Sequence, residues 1–88
     1  MKIKQGFILR KVMDNYVVVA VGEASKSFRG MIKLNETAAD VWKMIEKGID
    51  EDGIRAAMLE KYQVSEERLS EDIKSILSQL ASQGFLEV

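Results

Sequence analysis

Apolar residues recur at two different periods along the chain, and the change from one to the other falls near residue 34. Over residues 7–13, Phe7, Leu9 and Met13 share one side of a loosely alternating segment and Arg10 takes the other, which predicts a strand. Asp14 and Asn15 then interrupt it. Both tolerate left-handed turn geometry, so a two-residue hairpin loop is expected there. Residues 16–21 (YVVVAV) are β-branched and apolar on both faces, which suits a central strand covered on both sides. A polar loop at 22–27 leads to residues 28–34. There Phe28, Ile32 and Leu34 share one face, with Gly30 in register, while Arg29, Met31 and Lys33 share the other. Three strands joined by short loops predict an antiparallel meander whose first and third strands are edges.

Beyond residue 34 the period becomes helical. Asn35 is suited to N-cap a helix carrying Ala38, Val41, Trp42 and Ile45 inward, with Glu36 and Asp40 favoured by the dipole and Gly48 ending the segment. Asp50 can cap a second helix, whose inward stripe is Ile54, Ala57, Met58 and Tyr62. Ser65 caps a third and longest one, with Leu69, Ile73, Ile76, Leu77 and Leu80 facing the core. Gly84 falls where a left-handed C-cap belongs, so Phe85 and Leu86 are expected to fold back. The predicted fold class is α+β: a three-stranded antiparallel meander followed by a three-helix bundle, β-β-β-α-α-α, winged-helix-like in outline.

Eighty-eight residues predict a single domain, 1–88, too small for a deep water-excluding active site. The chain has no Cys and no His, which removes disulfides, thiolate metal sites, cysteine nucleophiles and the commonest neutral-pH general base. Carboxylate pairs such as Glu66–Glu67 and Glu71–Asp72 lie in charged helical stretches and read as solvated faces. No catalytic residue, cofactor or metal site is expected. The longest apolar run, 16–21, is far short of a membrane span, and no signal-peptide pattern opens the chain, so a cytoplasmic protein without membrane contact is expected.

Charge is divided unevenly. Residues 1–34 carry seven basic side chains against two acidic ones, a net +5, and residues 35–88 carry six against twelve, a net −6. A winged-helix DNA-binding regulator is the alternative that three helices beside a small sheet raise. Its reading helix must neutralise phosphates, yet residues 66–83 hold Glu66, Glu67, Glu71 and Asp72 against Arg68 and Lys74. Nucleic acid is therefore not expected as a partner. The open edge of the third strand is a better candidate, because unpaired N–H and C=O groups template pairing with another chain, a peptide or a second copy in a homodimer. Met31 between two cations could line such a surface.

The runs GFILRKVMDNYVVVAVGEA, GMIKLNETAADVW and LSQLASQGFLEV, in this order and spacing, resemble the pyrroloquinoline quinone biosynthesis protein D (PqqD-like) family over nearly the whole chain. The most telling piece is Leu34-Asn35-Glu36-Thr37-Ala38-Ala39-Asp40-Val41-Trp42, where the third strand passes into the first helix. The resemblance implies a non-catalytic recognition element that binds the leader of a ribosomally made precursor peptide. It presents that precursor to a modifying enzyme, often a radical S-adenosylmethionine enzyme, in pyrroloquinoline quinone or other natural-product biosynthesis. It further implies that the leader adds as a strand in the cleft between the third strand and the third helix. Carried onto this chain, the contacts are Arg29, Gly30, Met31, Ile32 and Lys33 from the strand, and Leu69, Asp72, Ile76 and Gln79 from the helix. The other flank, with Lys74, Leu77 and Ala81, lies a fraction of a turn away. From the +5 half, a leader bearing Asp or Glu is expected, with an affinity that weakens in salt.

Overall fold

The computed structural model describes residues 1–28 and 30–87. Its elements are β1 (Lys2–Ile3), β2 (Phe7–Val12), β3 (Asn15–Ala20), α1 (Ala24–Ser27), β4 (Met31–Leu34), α2 (Glu36–Glu46), α3 (Glu51–Lys61), α4 (Glu66–Ser82) and β5 (Leu86–Glu87). The result is a mixed α+β chain with a three-stranded antiparallel sheet ordered β2-β3-β4. Its element order differs from the expected β-β-β-α-α-α in three additions. The 22–27 segment is not an open loop but contains one helical turn, in which Phe28 N–H donates to the Ala24 carbonyl at 3.0 Å and the Ser25 hydroxyl to that of Gly22 at 2.6 Å. The chain ends contribute β1 and β5, which pair antiparallel with Lys2 opposite Glu87 and Ile3 opposite Leu86. Two-residue strands have no periodicity to read, so only tertiary contact creates them.

The hairpin turn also sits one residue earlier than expected. Val12 pairs with Asn15, which leaves Met13 and Asp14 as the loop, and Met13 carries the positive φ, 57°. Asn15 is recruited into β3 because doing so lets Val18 face the core and pair with Leu9 and Ile32. Register is decided by the buried face, and the turn accepts the residue left over.

Each long helix starts where its capping residue predicts. The side chains of Asn35, Asp50 and Ser65 accept from the N–H groups of Ala38 (2.8 Å), Gly53 (2.8 Å) and Arg68 (3.2 Å). α4 ends in a left-handed residue, Gly84 (φ +83°), after which Phe85 N–H donates to the Leu80 carbonyl and Gly84 N–H to that of Ala81, both at 3.0 Å. This paired arrangement is a Schellman cap. It turns the chain back so that Phe85 is wholly buried, with ring centroids 4.9 Å from Phe7, 5.5 Å from Phe28 and 5.6 Å from Trp42. Around these rings lie Val18, Val41, Ile45, Ile54, Met58, Leu69, Ile73 and Leu80. Trp42 is fully buried and belongs to this core.

Candidate functional site

The site is built from β4 upward. Among the described residues, β4 pairs only with β3, in the register Tyr16–Leu34, Val17–Lys33, Val18–Ile32 and Val19–Met31, so its other side is an edge. Which backbone groups that edge offers follows from the hairpin. In a two-residue hairpin the residues flanking the loop, here Val12 and Asn15, exchange hydrogen bonds, and the pattern alternates from there. Asn15, Val17 and Val19 of β3 therefore aim their backbone groups at β2. Val21 continues the series, donating its N–H to the Gly6 carbonyl at 2.7 Å. Tyr16 and Val18 must aim theirs at β4, where they meet Leu34 and Ile32. The N–H and C=O groups of Met31 and Lys33 are left pointing outward, along the open edge.

Beside that edge runs a groove. One part, about 360 Å³, is lined by Lys33, Leu34, Asn35, Ala38, Ile76 and Gln79. A second part, about 260 Å³, shares five of these residues and extends past Ile32, Leu80 and Phe85 to Ser82 and Gln83. Its floor is thus Phe85, the residue that the Gly84 cap turns inward. Its walls are β4 on one side and the C-terminal half of α4 on the other. Among the described residues, no carboxylate lines either part.

Placed on this geometry, the residues expected from sequence separate into groups. Met31 is 63% exposed and Lys33 is exposed, on the sheet face away from the core, while Ile32 is half-buried at the groove. Gly30 is not in mid-strand: β4 begins after it, and its φ of +102° is one that side-chain-bearing residues rarely adopt. Arg29 lies outside the described residues. On α4, Ile76 and Gln79 line the groove, but Asp72 is exposed one turn before Ile76 and is not among its lining residues. Leu69 is buried within the core and is not among the residues lining the groove. Of the opposite flank, Leu77 packs against the core, and Lys74 and Ala81 are exposed away from the groove. Ala38, Leu80, Ser82, Gln83 and Phe85 belong to the groove without having been singled out. The i, i+4, i+7 spacing from Asp72 to Ile76 and Gln79 continues to Gln83, a signal present in the sequence but undecided until β4 is placed.

α2 supplies the Ala38 side of the groove and is tied to α3. The Asp40 carboxylate accepts from the Tyr62 hydroxyl at 2.6 Å and from Lys61 Nζ at 2.8 Å. Partial burial opposes ionisation of Asp40, but these two hydrogen bonds and the charges of Lys61 and Lys43 outweigh it and hold its pKa below the ordinary value. The same hydrogen bond to Asp40 raises that of Tyr62. No described helix is long and apolar enough to cross a membrane.

Comparison with known proteins gives two findings. Residues 15–86 match the family model described as coenzyme PQQ synthesis protein D (PqqD). The fold is similar to that of a solved structure described as TbiB1 in complex with the TbiA(beta) leader peptide, with a TM-score of 0.81 and 22% identity over 99% of this chain and 95% of that one. A search of curated proteins found no match.

Proposed function

The chain belongs to the coenzyme PQQ synthesis protein D family, and on that premise we propose that it is a non-catalytic adaptor, a winged-helix-like single domain that binds the leader of a ribosomally made precursor peptide. The leader adds to β4 as a fourth strand and is held by backbone hydrogen bonds to Met31 and Lys33. Its inward side chains enter the groove among Ile32, Leu34, Ala38, Ile76, Gln79 and Phe85. The adaptor then presents the rest of the precursor to a modifying enzyme, of which a radical S-adenosylmethionine enzyme is the expected kind. The observation that carries this reading is the pairing of an open strand edge with an apolar-floored groove directly beside it: the edge gives affinity for any extended backbone, and the groove gives selectivity. The similar structure, TbiB1, holds a leader peptide, which supports the same assignment here.

The experiment is a titration of fluorescently labelled synthetic leaders, taken from short peptide genes adjacent to this one, against wild type and two variants at Lys33. Lys33→Pro removes one outward N–H at an edge position where proline is otherwise tolerated. Lys33→Ala removes the side chain but keeps the N–H. We expect Lys33→Pro to weaken binding by roughly tenfold or more, consistent with losing a hydrogen bond of about 0.5–1.5 kcal/mol and disturbing its neighbour, and Lys33→Ala to weaken it far less. Equal affinities for wild type and a folded Lys33→Pro would show that β4 is not the binding edge.

A further inference from the structure

The opposite face of the sheet, which meets the groove only at Lys33, has its own character. By register it consists of rows running across the three strands: Ile8, Val19 and Met31; then Arg10, Val17 and Lys33; then Val12 and Asn15, with Val21 beyond the first row. Among the described residues, the large hydrophobics most exposed to solvent are Met1, Val12, Met13, Val21, Met31 and Val64. Three of these six lie on this face, and Met13 is at the hairpin tip beside it. Val17, at the centre, is 7% exposed and flanked in register by Arg10 and Lys33, whose aliphatic stems are long enough to cover it. No acid stands in any of these rows; Asp14 and Glu23 are in the loops off its two ends, and Glu36, at the start of α2, lines a shallow pocket with Asp14 and Lys33 at its margin.

A concentration of exposed apolar side chains marks a contact surface. Two features decide what kind. Arg10 and Lys33 on an acid-free face would meet their own copies in a two-fold face-to-face dimer, so like charges oppose self-pairing. The face also measures only about 15 by 20 Å from the strand spacing and rise, roughly 300 Å², well below the ~800 Å² per partner of a stable interface. An added leader strand would enlarge it, since alternate leader side chains would line up beside Met31 and Lys33.

We propose that this outer sheet face is the docking surface for the peptide-modifying enzyme, engaged transiently through an apolar patch on the enzyme flanked by carboxylates that meet Arg10 and Lys33. The proposal rests on the adaptor reading. It adds that the enzyme recognises the leader-loaded chain in preference to the empty one, because the bound leader forms part of the same face.

The test places photoreactive p-benzoylphenylalanine at the exposed position 21 of the full chain, expressed in its own cells, irradiates them and identifies conjugates by mass spectrometry. The expected conjugate is a peptide-modifying enzyme, cross-linked within an apolar patch bordered by Asp or Glu. The purified enzyme should then bind the leader-loaded chain at least fivefold more tightly than the empty chain. Arg10→Glu and Val12→Asp, both outside the leader groove, should each weaken that binding tenfold or more, measured at a leader concentration that saturates every variant, while circular dichroism shows a folded chain. A conjugate with the chain itself, with any other protein or with none overturns the proposal. So does binding to anionic phosphatidylglycerol vesicles that Arg10→Glu abolishes, or enzyme affinity that neither substitution changes. Loss of leader binding by wild type would instead overturn the adaptor reading, so the two failures are separable.

Discussion

Asp40 accepts hydrogen bonds from two residues of the α3 terminus, and its ionisation is coupled to folding through them. Its folded pKa lies below the ordinary value of 3.8. The stabilisation is therefore fully present above about pH 4–5 and is lost as pH falls through the lower folded value. Thermal melts of wild type and Asp40→Asn across pH 2–7 should show a constant difference near neutrality that shrinks below pH 4. Tyr62→Phe, which removes a donor to a charged acceptor, should cost about 1.5–3 kcal/mol at pH 7 by denaturant titration. Met13 is a second residue with a specific expectation. Its positive φ (57°) strains a side-chain-bearing residue by about 1–2 kcal/mol, partly offset in a glycine variant by the larger unfolded-state entropy of about 0.4–1 kcal/mol. Met13→Gly should raise the melting temperature by roughly 2–6 °C, read by circular dichroism. The sequence announces a turn near Asp14 but not which residue bears the strain, because register across β2 and β3 decides that.

At the scale of elements, α4 shows how far periodicity alone carries. Its start at Ser65, its inward residues Leu69, Ile73 and Leu80 and its Gly84 cap are all legible from spacing and capping chemistry. The flank that meets the groove is not, because residues on either side of one apolar stripe differ by a fraction of a turn. Packing of α4 against α2 and α3 puts Ile76, Gln79 and Gln83 on the groove beside β4 and leaves Lys74 outside it. Ile76→Ala should therefore weaken leader binding about tenfold, whereas Lys74→Ala should leave it within twofold, in the same titration. For β4 the strand is legible but its entrance is not: the apolar alternation runs from Phe28, yet the backbone turns left-handed at Gly30 and pairing begins only at Met31.

At the scale of the molecule, the two charged halves are also two structural halves, sheet and helices, and Phe85 is where they meet. It packs on Phe7 and Phe28 from the sheet half and on Trp42 and Leu80 from the helical half, and it floors the groove. Phe85→Ala should cost about 3–5 kcal/mol, a large share of the ~5–15 kcal/mol typical of a domain, measured by urea unfolding. Phe85→Leu keeps most of the volume and should fold with a milder loss. Leader affinity in that variant should still fall, since the groove floor changes shape.

What the sequence determined by itself are properties set by neighbours along the chain. The identity of the three long helices and their caps, the central valine-rich strand, the absence of cysteine and histidine chemistry and the division of charge all follow from residue order and spacing. Tertiary structure decided the relations between distant segments. It joined residues 2–3 to 86–87, shifted the hairpin turn onto Met13, turned one flank of α4 toward β4, and left the outward backbone groups of Met31 and Lys33 without a strand. These depend on which surfaces are buried together, and burial is a property of the packed chain, not of any local run of residues.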